Sequence, residues 1–172
     1  ALWIASESMS APYKAWIRFL LLCGQRRLET ARMRRSQLQD DCWSLQGTDT
    51  KNKQPHLVPL SAQARKIIDE LLLTEGDYLF KTGLIGDAPI NGFSKAKAQM
   101  DRLSGVTDWR WHDLRAVVGT NITKLGYDRS LMKRIINHKD SGATASYDLY
   151  SYYGEKRDAL QKWADRLDEI CT

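Results

Sequence analysis

The fold is decided first by the segment APYKAWIRFLLLCG, residues 11–24. Its apolar side chains recur at intervals of three and four residues, which is the period of an α-helix, and Gly24 follows where a helix commonly ends. We therefore predict a helix over residues 11–23 with one buried face. The residues of that face are Ala15, Trp16, Phe19, Leu20 and Cys23.

Helical periodicity also dominates the rest of the chain. A second helix is predicted from about Leu28 to Arg35, and Ser61 is a suitable N-cap for a helix that continues through Leu73. Further helical patterns cover residues 93–103, 112–125, 130–136 and 155–170. The chain is thus predicted to be mainly α-helical.

A short hairpin is predicted between these helices. Residues 42–45 are strand-like, residues 46–53 are polar, and residues 56–60 form a second strand-like run. Pro55 and Pro59 lack the backbone N–H group that a central strand needs. The second strand is therefore either short or at the edge of its sheet.

Residues 78–80 are a candidate third strand, and a loop follows over residues 83–89. The predicted fold class is α+β, mainly α-helical, with a small antiparallel sheet of about three strands. The 172 residues, 42% of them apolar and 27% charged, fit a single domain over residues 1–172. Because the chain begins at Ala1 rather than Met, and directly in a helical pattern, we expect this domain to belong to a longer protein.

Composition excludes one class of protein and leaves another open. The longest strongly apolar run, residues 19–23, is far shorter than the roughly 20 residues that span a bilayer, and the mean hydropathy is −0.49. A membrane protein is therefore excluded. The net charge of +5 and the isoelectric point near 9.1 are compatible with a polyanionic partner.

Cysteines and histidines argue against disulfide and metal chemistry. The three cysteines form neither a close pair nor an even set, which favours a reducing compartment and no thiolate zinc site. The three histidines, His56, His112 and His138, are far apart in the sequence. We therefore expect no metal and no cofactor, and chemistry carried by side chains alone.

The densest charged run is QRRLETARMRR, residues 25–35, with five arginines and Glu29. Most such runs are solvated helix faces. Arginine at all five positions favours a phosphate-binding role, because the guanidinium group binds phosphate oxygens bidentately. Arg26 in addition follows Gly24 at a helix start, where an anion site is easily built.

A second candidate pattern is WRWHDLR, residues 109–115. His112 and Arg115 are three residues apart, so a helix would present both on one face. Later in the chain, His138 follows an apolar helix and Tyr147 lies in a tyrosine-rich segment. Each of these features alone is more often structural than functional.

Taken together, their order and spacing resemble the catalytic domain of the tyrosine site-specific recombinases, the phage integrase family. His138 lies 26 residues beyond His112, and Tyr147 nine residues beyond His138. The segment from Tyr147 to Trp163 further resembles integrases of prophages and genomic islands. The matching positions in chain order are Gly24, Arg26 and Glu29; Lys51 in TKNKQPHLVPL; His112, Asp113, Leu114 and Arg115; His138; and Tyr147.

The resemblance implies a catalytic role for six residues. Tyr147 would attack the scissile phosphate and form a 3'-phosphotyrosine link, with Tyr150 as the alternative nucleophile. Arg26 and Arg115 would stabilise the transition state. Lys51, or Lys53 after a register shift, would protonate the leaving 5'-oxygen. His112 would accept or relay the tyrosine proton, and His138 would hydrogen-bond a phosphate oxygen.

Further residues are implied around this set. Arg27, Lys53 and Arg110 would contact DNA. Glu29 would orient the arginines, or it would form an ordinary ion pair on a helix face. The last helix, residues 155–170, would pack on its own core or dock on a neighbouring protomer.

The implied partners are double-stranded DNA attachment sites, in the cytoplasm and nucleoid of a bacterium, with no membrane. The resemblance implies a homotetramer in the synaptic complex, a monomer for the isolated domain, and directionality and DNA-bending factors. Amino-terminal arm-binding and core-binding domains would lie outside this chain. Two alternatives stay open, a prophage remnant that binds DNA but does not cut it and a generic helical interaction domain.

Overall fold

The computed structural model describes residues 1–82, 87–138 and 152–171. It contains eight α-helices and three β-strands within these ranges. The helices are α1 (Leu2–Ala5), α2 (Ala11–Cys23), α3 (Arg27–Ala31), α4 (Ala62–Leu72), α5 (Phe93–Ser104), α6 (Trp111–Lys124), α7 (Arg129–Ile135) and α8 (Tyr153–Cys171). The strands are β1 (Leu38–Gln39), β2 (Cys42–Leu45) and β3 (His56–Pro59).

Helix α2 lies at the centre of the core, as its apolar periodicity predicts. Trp16, Ile17 and Phe19 are completely buried. The helix ends at Gly24, which has a left-handed backbone with φ of 62°. A Cβ atom at Gly24 would lie 2.9 Å from the Val118 side chain of α6. Glycine is therefore needed here both for its φ angle and for the close approach of α6.

The three strands form one antiparallel sheet in the order β1-β2-β3. Strand β3 is at an edge, as Pro55 and Pro59 indicate. In the pairing of β2 with β3, Cys42 lies opposite Pro59 and Leu45 opposite His56. The hairpin and the α+β fold class are thus confirmed.

Two predictions next to the sheet are wrong. Residues 78–80 do not form the third strand, which is β1, although Tyr78 makes an isolated antiparallel bridge with Arg34. The helix predicted to reach Arg35 ends at Ala31. Both differences have one cause, because the backbone of residues 33–35 turns away from the helix to bond residues 77–79. Arg35 N donates to Asp77 O at 2.8 Å, and Leu79 N donates to Met33 O at 3.0 Å.

The remaining helices agree with the sequence prediction to within two residues. Ser61 caps α4, since its hydroxyl accepts a hydrogen bond from Ala64 N. Helix α8 packs on the core of its own chain, where the Trp163 indole donates to Leu21 O at 2.8 Å. Its buried face consists of Lys156, Ala159, Leu160, Trp163, Ala164 and Leu167.

Within the described ranges, each helix is too short or too polar to span a membrane.

Candidate active site

A cleft of about 960 Å³ opens between α3, the β2–β3 connection, α5 and the start of α6. Most of the site residues predicted from sequence line it: Arg26, Arg27, Glu29, Lys51, Arg110, His112 and Arg115. They come from three segments that are distant in the sequence, so the fold itself brings them together. Lys53 and His138 are outside the cleft lining, and Tyr147 and Tyr150 lie outside the described residues.

Arg115 projects from the second turn of α6 and is buried, with 4% of its surface exposed. Its Nη1 donates to Gly24 O at 3.0 Å, and its Nη2 donates to Ile136 O. Burial and the neighbouring charge of Arg26 lower the pKa of Arg115 to about 10. The guanidinium therefore keeps its charge at neutral pH while it lies in a site where an added anion would be stabilised.

Arg26 is the N-cap residue of α3 and lies beside Arg115. Its Nη1 donates to Glu29 Oε1 at 3.0 Å, and its Nη2 donates to Asn137 O at 2.8 Å. The two guanidinium groups thus bond the carbonyl groups of two consecutive residues, Ile136 and Asn137, and each has a further partner elsewhere in the fold. Planar donors in fixed positions of this kind suit a tetrahedral or pentacovalent phosphate.

Glu29 joins the arginine to the hairpin. Its side chain is buried, and the same Oε1 atom that binds Arg26 also accepts Lys51 N at 3.0 Å. Its Oε2 atom is buried without a hydrogen-bond partner among the described residues. A surface ion pair would not show this arrangement, so the geometry favours the orienting role over the ordinary helix-face pair.

The two hairpin lysines differ in position. Lys51 is exposed and lines the cleft, whereas Lys53 has a left-handed backbone with φ of 58° and lies outside the lining. Asn52, between them, donates to Asn137 Oδ1 at 2.8 Å, which ties the hairpin to the end of α7. This geometry favours Lys51 over Lys53 as the lysine of the site.

His112 lies in the first turn of α6 and is exposed at the cleft. The start of this helix is fixed by Asp113, whose Oδ2 accepts Arg110 N at 2.7 Å. His138 follows α7, and its backbone N–H donates to Lys133 O at 2.8 Å. Its side chain is exposed, and the residue before it, Asn137, is the one that binds Arg26 through its carbonyl.

One side of the cleft is an aromatic wall that was not predicted from the sequence. Trp109 and Trp111 make an edge-to-face contact with ring centres 4.9 Å apart. The Lys97 ammonium lies 4.5 Å from the Trp109 ring centre and also bonds the Asp101 carboxylate. The signal was present in WRW immediately before HDLR, but alternating tryptophans do not show which of them faces a cleft.

His56 is a buried residue to which the sequence analysis gave no role. It is 5% exposed, and its Nε2 lies 3.1 Å from Ile135 O. Burial, together with the nearby charges of Lys156, Arg115 and Arg26, lowers the pKa of His56 to about 3, against the opposing effect of the hydrogen bond with Ile135 O. The imidazole is therefore neutral at physiological pH, with its proton on Nε2 as the donor to the carbonyl.

This shift predicts a pH-dependent stability. Unfolded histidine has a pKa of about 6.5, so below that pH the unfolded state binds one proton more than the folded state, and the free energy of unfolding falls as the pH decreases towards 3. Between pH 6 and pH 4 we expect the wild type to lose about 1 kcal/mol per pH unit relative to His56→Gln, which cannot titrate. Urea unfolding at several pH values measures this difference. Parallel curves for the two proteins would contradict it.

Across residues 1–82, 87–138 and 152–171, no three His, Cys, Asp or Glu side chains gather as a potential metal site.

Comparisons with known proteins show which proteins the chain resembles as a whole. The chain is 26% identical, over an alignment of 183 positions, to prophage integrase IntZ of Escherichia coli K12, with 98% of the chain and 45% of that protein covered. It also shares its fold with the XerH site-specific recombinase in a post-cleavage complex with a palindromic difH substrate. That match has a TM-score of 0.58 and 17% identity, with 99% of the chain and 49% of the other covered.

The chain therefore spans about half the length of the proteins it matches. Residues 2–152, which include each position of the cleft described above, match the phage integrase family. Because this match covers most of the chain, the chain belongs to the phage integrase family.

Proposed function

We propose that this chain is the catalytic part of a site-specific DNA recombinase. It cleaves and rejoins DNA strands through a 3'-phosphotyrosine link to Tyr147, for the integration or excision of a phage or mobile element. The observation that carries the proposal is the pair of adjacent guanidinium groups, Arg26 and Arg115, on a cleft that also contains Lys51 and His112. Residues 2–152 match the phage integrase family, which supports the same activity.

In the proposed reaction the Tyr147 oxygen attacks phosphorus and the 5'-oxygen of the next nucleotide leaves. One phosphodiester is exchanged for another, so the bond energy is kept for rejoining. Negative charge builds on the non-bridging oxygens in the transition state. Arg26 and Arg115 stabilise that charge, and fixed donors of this kind are each worth about 10² to 10³ in rate.

Two proton transfers accompany this exchange. A phenol has a pKa near 10, so the attacking Tyr147 needs an acceptor for its proton, which is His112 in this proposal. The leaving 5'-oxygen takes a proton from Lys51, on the exposed hairpin. His138 hydrogen-bonds a phosphate oxygen. Its place in the chain, one residue after the carbonyl that binds Arg26, supports this role.

The substrate in this proposal is double-stranded DNA. The XerH recombinase of similar fold was bound to a DNA substrate. Arg27 and Arg110 line the cleft and would contact the DNA backbone beside the scissile phosphate. The proposal also includes a tetramer that acts on two DNA sites in the bacterial nucleoid. Accessory factors would set the direction of the reaction or bend the DNA, and further DNA-binding domains would belong to a longer protein.

A pool of nicked duplexes with randomised sequence tests the activity. Each duplex loses a short fragment after cleavage, so a covalent intermediate is trapped. We expect SDS-resistant protein–DNA adducts that form equally well in EDTA and are enriched in particular sequences on sequencing. Salt-sensitive binding of the pool without any adduct would overturn the proposal in favour of a DNA-binding remnant. Binding that does not weaken with salt would favour an interaction domain.

A further inference from the structure

The end of α7 receives side chains from four other parts of the fold. The last carbonyl groups of a helix have no partner within it, so they need donors from elsewhere. Here Ile135 O, Ile136 O and Asn137 O, which we call the carbonyl triplet, are all bonded by side chains. The donors are Gln25 and His56 to Ile135 O, Arg115 to Ile136 O, and Arg26 and Asn52 to Asn137 O.

Two of these donors are the arginines of the cleft. The carboxyl end of a helix carries partial negative charge, which adds to the attraction between the carbonyl triplet and the guanidinium groups. Arg115 and Arg26 therefore take part of their orientation from Ile136 O and Asn137 O, beside their bonds to Gly24 O and Glu29. A displacement of this backbone would disturb one anchor of each guanidinium group.

The first carbonyl of the triplet is held differently, by two uncharged donors. Gln25 Nε2 lies 2.9 Å from Ile135 O and also bonds Cys23 O at 2.8 Å, so it links the triplet to the end of α2. His56 Nε2 lies 3.1 Å from the same oxygen and comes from β3, outside the cleft lining. His56 is buried and does not line the cleft, so it does not touch the substrate.

We propose that His56, together with Gln25, is a positioning residue for the arginine pair. By holding Ile135 O, these two side chains fix the next two carbonyl groups, and through them the direction in which Arg115 and Arg26 face the phosphate. The inference rests on the proposed function. It gives a residue of β3, which does not line the cleft, an indirect role in catalysis.

The position of the two arginines affects the cleavage rate for a physical reason. Catalysis by fixed donors depends on their geometry, and a misplacement of about 1 Å can cost about 10²-fold in rate. Substrate binding depends less on these two arginines, because it is shared among many phosphate contacts along the DNA. Loss of the His56 hydrogen bond is therefore expected to lower the cleavage rate much more than the affinity for DNA.

The test uses the nicked duplex recovered from the adduct screen and measures single-turnover adduct formation at saturating DNA. His56→Leu keeps the volume but loses the donor, and it is expected to react roughly 10- to 100-fold more slowly, with DNA affinity within about threefold of the wild type. His56→Gln restores an N–H donor and is expected to recover most of the rate. Val58→Ala creates a cavity in the same strand and controls for a loss of stability without loss of the hydrogen bond. It is expected to react at the wild-type rate.

A second variant guards against misfolding of His56→Leu. Gln25→Leu removes the other donor to Ile135 O and is expected to slow cleavage as well. The double variant is expected to react more slowly than either single variant. Its loss of rate should be smaller than the product of the two single losses, because both side chains act through one carbonyl. A wild-type rate in His56→Leu, or a rate in His56→Gln as low as in His56→Leu, would overturn the inference.

If the wild-type protein forms no adduct, the proposed function is wrong. The positioning role of His56 is then tested by a measurement that needs no reaction. Solvent exchange of the Arg115 Nη protons, followed by nitrogen-15 NMR in the free protein, reports on their bonds to Gly24 O and Ile136 O. We expect exchange to be slow in the wild type and in His56→Gln, and at least about tenfold faster in His56→Leu. Equal exchange in all three proteins would refute the positioning role.

Discussion

Tyr147→Phe is expected to abolish covalent adduct formation on the nicked duplex while DNA binding stays within about twofold of the wild type. The substitution removes one oxygen atom, which is the proposed nucleophile, and leaves the arginines and the hairpin unchanged. Removal of a nucleophile in a covalent mechanism costs about 10⁴-fold or more in rate. Adduct yield on denaturing gels and a filter-binding assay measure the two quantities.

Neighbouring tyrosines are the matched controls for this substitution. Tyr150→Phe removes the same atom three positions further along the chain, and Tyr152→Phe does so at a residue whose ring stacks on the Arg134 guanidinium at 4.5 Å. Both variants are expected to form adduct at nearly the wild-type rate. If the adduct persisted in Tyr147→Phe and vanished in Tyr150→Phe, the assignment of the nucleophile would move to Tyr150.

Arg115→Lys is expected to lower the single-turnover cleavage rate by about 10²- to 10³-fold, although the positive charge is retained. The guanidinium group bonds Gly24 O and Ile136 O through different nitrogen atoms and still has donors left for phosphate. An ammonium group is a point charge on a flexible stem and cannot reproduce this planar set of bonds. The same measurement at saturating DNA separates the rate from the affinity.

Arg27→Lys and Arg27→Ala serve as controls for Arg115. Arg27 is exposed in the same cleft, where its guanidinium lies 4.8 Å from the Phe93 ring centre. We expect Arg27→Ala to weaken DNA binding and to reduce the slope of log affinity against log salt by about one, with little change in the rate at saturation. A cleavage defect as large in Arg27→Lys as in Arg115→Lys would show that the bonds of Arg115 to Gly24 O and Ile136 O do not set the rate.

The helices and the hairpin were predictable because their information is local. Apolar spacing in residues 11–23, the Ser61 cap and the two prolines around His56 each act within a few residues, and all three are confirmed by the structure. The errors arose where a distant segment competes for the backbone. Nothing in residues 28–35 shows that residues 77–79 will bond them and end α3 at Ala31.

For the site, the sequence indicated candidate residues but not how the fold holds them. Arg26, Lys51, His112 and Arg115 were selected by spacing, and the fold brings them to one cleft. Their roles remain predictions. The carbonyl triplet had no sequence signal, because a backbone oxygen is present at every residue and only the fold decides which ones are free. His56 was missed for the same reason, since its partner is a carbonyl 79 residues away.

The choice of backbone oxygens as acceptors has an electrostatic consequence. A carbonyl group orients a guanidinium through a dipole and leaves its formal charge intact, whereas a carboxylate in the same place would cancel it. In the described residues, Glu29 pairs with Arg26 and carbonyl groups hold Arg115. The pair therefore retains close to one uncompensated positive charge, so that in the proposed reaction a phosphate would enter without any rearrangement of ion pairs.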